Sequence, residues 1–211
     1  MKKVMVYLTA VLLAFPFLSA LGEADVSGYY DALLEIDNEA IVLEELNIIL
    51  TPQGHGRLIM EDSSGITFDY TVQNGDITTD FSDFTMKMLE DDRILVLMDD
   101  MEFPFQKRAD IRHDPMLTGT WRTTAMTKED VSISQTFLEA LGLSIEMTAY
   151  DSGAIDWQAK SDKVSNVAQG WGVDEQGLYF KNGTGTHRII INGDALELVF
   201  SDGDSMTFAR Q

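Results

Sequence analysis

The 211-residue chain contains no cysteine. That excludes a disulfide framework, a thiolate metal site, a cysteine nucleophile and a lipidated cysteine. Histidine is nearly as scarce: His55, His113 and His187 lie far apart, and none belongs to a metal-spaced pair. No His-Glu-x-x-His, Gly-x-Ser-x-Gly or phosphate-binding glycine loop occurs. The sequence therefore assigns no catalytic residue, no metal ligand and no cofactor, and the expectation is a protein that is not an enzyme. Basic residues are outnumbered, 15 Lys and Arg against 35 Asp and Glu, for a formal net charge of −20. Such a chain is repelled by nucleic acid and by anionic membranes, so neither is an expected partner. Solubility accounts for the acidity without a dedicated cation site.

What is present begins with an address. Lys2 and Lys3 precede an apolar run from Val4 to about Phe15, which Pro16 breaks, and Gly22-Glu23-Ala24 places small residues where a signal peptidase reads. Residues 1–24 read as a signal peptide cleaved near Ala24. The run is shorter than the roughly 20 apolar residues a membrane span needs. Its removal takes two lysines and one glutamate and leaves a charge of −21. The expected location is extracellular or in the cell envelope.

The rest of the chain is a pattern written twice. From Gly28 to Lys107, short stretches alternate apolar and polar residues (Ile66, Phe68, Tyr70, Val72; Phe84, Met86, Met88; Ile94, Val96, Met98) between turn-formers such as Pro52, Gly54, Asn74-Gly75 and Asp91-Asp92. Asp37 and Asn38 predict the cap of a helix over 39–46. The same succession restarts at Gly119. Gly28 and Tyr30 match Gly119 and Trp121 at a shift of 91; Ile48, Leu50, Gly56 and Leu58 match Ile145, Met147, Gly153 and Ile155 at 97; Tyr70 matches Trp171 at 101; Phe105 and Lys107 match Phe208 and Arg210 at 103. A shift that grows only in connections is the mark of duplicated structure. In the second copy Ser132 predicts a helix cap, Ile133, Phe137, Leu138 and Leu141 an apolar face packed on the copy's own sheet, and Gly142 the stop. The fold expected is all-β and mostly antiparallel: two tandem small eight-stranded up-and-down barrels, each with one helix after its first strand, over residues 26–108 and 117–211, joined by a linker at 109–116.

Gly119-Thr120-Trp121 resembles the Gly-x-Trp that opens the first strand of the lipocalin superfamily, the calycins, and Arg210 matches the arginine that packs across that tryptophan. The first copy carries the weaker set Gly28, Tyr30 and Lys107. Each repeat also resembles the lipocalin-like domains of unknown function found in secreted proteins of Gram-positive gut bacteria. The resemblance implies lipocalin-like barrels and ligand binding, without assigning residues to a ligand. Trp121 beneath Arg210 makes physical sense as a structural pair, a ring filling the closed end with a guanidinium stacked on it.

Three further features bear on function. Phe84, Met86, Met88 and Met98 are candidate ligand-binding residues, because adaptable thioethers suit a flexible, small apolar ligand, although they equally fill a small core. Asp91-Asp92, Asp99-Asp100 and Asp202-Gly203-Asp204 sit where turns want them, and Asn182-Gly183-Thr184 reads as a hairpin turn rather than a glycosylation site. The expected function is a secreted, non-enzymatic binding protein for a small apolar or amphipathic molecule. The alternative is an extracellular module with filled barrels that meets a protein or glycan partner through loops or a groove between the barrels, with Trp157 and Trp171 as candidate lining residues.

Overall fold

The computed structural model describes residues 25–36, 39–60, 65–98, 101–108, 114–160, 165–182 and 185–211. The expectations for the signal peptide, His113, Asp99-Asp100 and Gly183-Thr184 fall outside them. Barrel 1 is closed by β1 (Gly28–Ile36), β2 (Glu39–Leu50), β3 (His55–Ile59), β4 (Ile66–Gln73), β5 (Asp76–Thr79), β6 (Phe84–Met88), β7 (Arg93–Met98) and β8 (Met101–Lys107), each paired antiparallel with the next, and β8 pairs back onto β1. Barrel 2 contains β9 (Gly119–Lys128), β10 (Val131–Ser134), a short helix α1 (Gln135–Ala140), β11 (Ser144–Ala149), β12 (Ala154–Lys160), β13 (Ser165–Asp174), β14 (Gly177–Asn182), β15 (Gly185–Asn192), β16 (Ala195–Val199) and β17 (Ser205–Arg210). β17 returns to β9, so β9 and β11–β17 form an eight-stranded ring, with β10 as a flap on β9.

Alternation builds both interiors. In barrel 1, Tyr30, Ile48, Leu50, Leu58, Phe68, Tyr70, Ile77, Phe84, Met86, Ile94, Val96 and Phe105 make one buried cluster. In barrel 2, Trp121, Met147, Ile155, Trp171, Phe180, Leu196, Leu198 and Phe208 make another. An eight-stranded barrel is just wide enough for its own side chains to fill, and these clusters occupy the two interiors.

The helix expected over 39–46 is absent; those residues belong to β2. Its partner decides the matter: Leu34, Leu33 and Ala32 of β1 pair with Ile41, Val42 and Leu43, and the register then jumps so that Asp31 pairs with Asn47. Barrel 2 treats the same place differently. Ala125 pairs with Ser134, Arg122 pairs with Glu146, and α1 occupies the interval. The helix is thus an insertion at the irregularity that barrel 1 spans with a bulge. The residue at its N-cap is Ser134, the last of β10, not Ser132, and its side chain makes no capping bond. The apolar face expected to pack on the sheet is a single residue: Leu138 is buried, whereas Phe137 and Leu141 are more than half exposed.

The turns correct the shift of 97. Thr51 N–H donates to the His55 carbonyl and Gly54 N–H to that of Thr51; Tyr150 and Gly153 make the same bonds to Ala154 and Tyr150. Thr51 therefore corresponds to Tyr150 and Gly54 to Gly153, a shift of 99. A slip of two residues keeps every side chain on its face, so alternation alone does not detect it.

The barrels meet along a seam. Tyr29, Ile49 and Ile59 point away from the barrel 1 interior, yet each is at most 1 % exposed, because Ala154 and Ala168 of barrel 2 cover them. Gly170 completes the fit: a Cβ there would stand 2.9 Å from the Tyr29 ring. Arg57 donates to Gln169 at 2.5 Å, and Gln53 bonds Tyr150, whose phenol burial pushes up to about 12. Large side chains on one barrel entering a surface of Ala and Gly on the other give close packing.

Candidate functional site

The closed ends carry the two signature sets. Trp121 is fully buried, its indole N–H donates to the Leu117 carbonyl at 2.7 Å, and the Arg210 guanidinium lies 4.3 Å from its ring centroid. Arg210 also donates to the carbonyls of Thr118, at 2.8 Å, and Met116. Tyr30 repeats this, donating to the Val26 carbonyl at 2.8 Å beneath Lys107 at 5.9 Å. Burial pushes the Tyr30 phenol well above its ordinary range. The glycines make room for the cations: a Cβ on Gly119 would stand 2.9 Å from Arg210 Nη1, and one on Gly28 would stand 2.7 Å from Lys107 Cε. Tyr70 and Trp171 are matched in the same way, donating to the Thr51 and Tyr150 carbonyls at 2.7 and 2.8 Å. These residues close the barrels, and at barrel 1 Tyr70 and Val26 also line an open cleft of about 450 Å³ with Pro52, Gln53 and Gly54.

The lips differ. β5 and β6 share only two register pairs, Asp76 with Lys87 and Ile77 with Met86, whereas the corresponding strands β14 and β15 share four, from Tyr179 with Arg188 to Asn182 with Gly185. Where β5 and β6 part, Thr79 Oγ1 donates to the Phe81 carbonyl at 2.7 Å and fixes the connecting loop. Two open clefts of about 390 and 670 Å³ flank that loop and share Phe81, Ser82, Phe84, Thr85 and Leu97, so they form one trough. Ile77 and Met86 line one side, Ile66 and Met98 the other. Phe84 anchors the floor, edge-on to Phe68 at 5.0 Å and tilted against Phe81 at 5.5 Å.

Of the four candidate ligand residues, Phe84, Met86 and Met98 come together at this trough, while Met88 lies toward the closed end, where its N–H donates to the Gly75 carbonyl. Phe81 was missed, although an aromatic ring between Asp80 and Ser82 in an otherwise polar turn is a visible signal. In barrel 2 the equivalent region is plugged: Trp157 packs on Phe180 and Phe208 at 5.2 and 5.9 Å, and His187 lies between Phe180 and Phe200 at 6.3 and 4.9 Å. Burial lowers the affinity of His187 for a proton. The expected groove lined by Trp157 and Trp171 is overturned here, since both rings belong to the barrel 2 interior cluster.

His55 opens β3. Its Nδ1 is 2.8 Å from Asp69 and its Nε2 is 3.1 Å from Asn166 across the seam. Because Gln158 donates to Asn166 Oδ1, the Asn166 amide N–H is the donor to Nε2 and the proton sits on Nδ1. Both ring nitrogens are engaged, so this Asp-His pair works as a clasp. Asp91 and Asp92 adopt the left-handed turn conformation, with φ of 59° and 56°, and no group of three metal-binding side chains occurs among the described residues. No protein-family model matches the chain, and no curated protein matches its sequence. The two eight-stranded antiparallel barrels are compatible with a lipocalin-like fold and with a binding protein.

Proposed function

We propose that this chain is an exported, non-catalytic binding protein that holds a small apolar or amphipathic molecule in the trough at the lip of barrel 1. The observation that carries this is the two-pair junction of β5 and β6 beside Phe81, Phe84, Met86 and Met98. The trough falls in the size range of small-molecule sites, and its thioethers adapt to flexible chains. With both interiors filled, the ligand lies across the lip and not inside a cup.

The test is titration with N-phenyl-1-naphthylamine, a neutral apolar fluorophore. Saturable one-to-one binding is expected, weakened about tenfold or more by Phe81→Ser, the loss expected for a large apolar contact. Binding that is unsaturable, or indifferent to Phe81→Ser and Met86→Glu, sinks the reading. A second reading, an interaction module for an extracellular protein or glycan, is favoured by Val131, Phe137, Leu141 and Leu143, all at least half exposed around α1. Under it, Phe137→Ser would abolish partner retention and leave fluorophore binding untouched.

A further inference from the structure

Cations are scarce in this chain, and three of them meet at one end of the seam. A cleft of about 280 Å³ opens there, lined by Tyr29, Arg108, Asp174, Tyr179, Lys181 and Thr186. Arg108 lies over the Tyr29 ring, 5.0 Å from its centroid, and 3.6 Å from Asp31. Asp174 would oppose an anion, but Arg188 grips both its oxygens at 2.7 and 2.9 Å and holds its carboxyl below the usual carboxylate range. Its charge is compensated within the wall. Among the described residues, Lys181 has no carboxylate within ion-pair distance.

Arg108, Lys181 and Arg188 thus gather around one cleft of a chain whose net charge is −20, with Arg188 committed to Asp174 and Arg108 beside Asp31. The floor is rigid. Tyr29 and Tyr179 are 1 % and 6 % exposed, and Tyr29 is fixed against Gly170 by the seam. Domain interfaces are favoured places for small-molecule sites, and a preformed one spends little on ordering. At about 280 Å³ the cleft lies near the lower end of the size range of small-molecule sites.

We propose that the inter-barrel cleft binds a small carboxylate-bearing molecule, its carboxylate between Arg108 and Lys181 and its polar or ring portion against Thr186 and Tyr179. This site is separate from the trough, and either stands without the other. The test is an amide chemical-shift titration of the exported chain with sodium glucuronate, a sugar acid, with sodium benzoate, an aromatic acid, and with glucose as the neutral control. Saturable shifts of Tyr179, Lys181 and Thr186 with at least one acid and none with glucose are expected, and which acid binds distinguishes the two sources of carboxylate. Lys181→Gln is expected to weaken binding about tenfold, Lys181→Arg to retain it, and both to keep the dispersed spectrum of the folded protein. The proposal is overturned if neither acid shifts these amides, if glucose shifts them equally, or if Lys181→Gln binds as tightly as the parent.

Discussion

Barrel 1 and barrel 2 close by one plan carried out with different parts. Tyr30 and Trp121 stand at the same place and each donates to a carbonyl four residues back, but the tyrosine is covered by a lysine at 5.9 Å and the tryptophan by an arginine at 4.3 Å. A guanidinium stacks flat and still has N–H groups for Thr118 and Met116, whereas an ammonium is a compact, strongly hydrated charge. At the other end the contrast continues, with aromatic rings packed through barrel 2 where barrel 1 leaves a trough. The two barrels thus differ at the lip, where barrel 2 packs rings and barrel 1 is open.

The largest expected effect tests the tryptophan. Trp121→Ala should cost about 3–5 kcal/mol in urea unfolding, since it empties a fully buried site and strips Arg210 of its ring. Tyr30→Phe, which removes only the bond to Val26, should cost about 0.5–1.5 kcal/mol. Losses of equal size would break the contrast. Next comes the seam: Gly170→Val forces side-chain atoms into Tyr29, should cost about 1–3 kcal/mol, and should split one calorimetric transition into two as the barrels part. A single unchanged transition would show that the seam does not couple them. Arg210→Lys gives barrel 2 the cation of barrel 1; losing the forked bonds should cost about 1 kcal/mol, against little or nothing for Lys107→Arg.

The smallest effects are in pH. Burial depresses the proton affinity of His187, so the unfolded chain binds the proton more readily and stability declines as pH falls through the ordinary histidine value near 6.5. Burial has the opposite consequence for Asp156 on the seam, whose carboxyl is raised: the folded state holds its proton more tightly, and stability declines as pH rises above the ordinary carboxyl value of 3.8. His187→Phe should flatten the first slope and Asp156→Asn the second, each followed by thermal melts across pH. A His187→Phe profile that keeps its slope near pH 6.5 would place that slope elsewhere in the molecule.

Much of this was legible in the sequence. Period-two alternation gave the strands, and the Gly-x-Trp set gave the closed ends, because glycine there answers a steric demand from Arg210 or Lys107. What failed did so for physical reasons. The segment 39–46 contains Glu, Ala and Leu, good helix formers, but pairing with β1 overrides that propensity. The seam hides in Asn47-Ile48-Ile49-Leu50, a run buried on both faces, which looks like an ordinary core strand until a second body is laid against it. Trp157 and Trp171 were offered to a groove because alternation fixes which residues share a face, not which face is inside.

The irregularity in β2 has a practical side. Between the pairs at Leu43 and Asn47 the sheet does not dictate chain length, and the sister barrel already carries a helix at the corresponding point without losing closure. Residues 44–46 are therefore a natural grafting position. A reporter helix or affinity peptide spliced there would ride on the β1–β2 ribbon and turn the molecule into a two-barrel display scaffold.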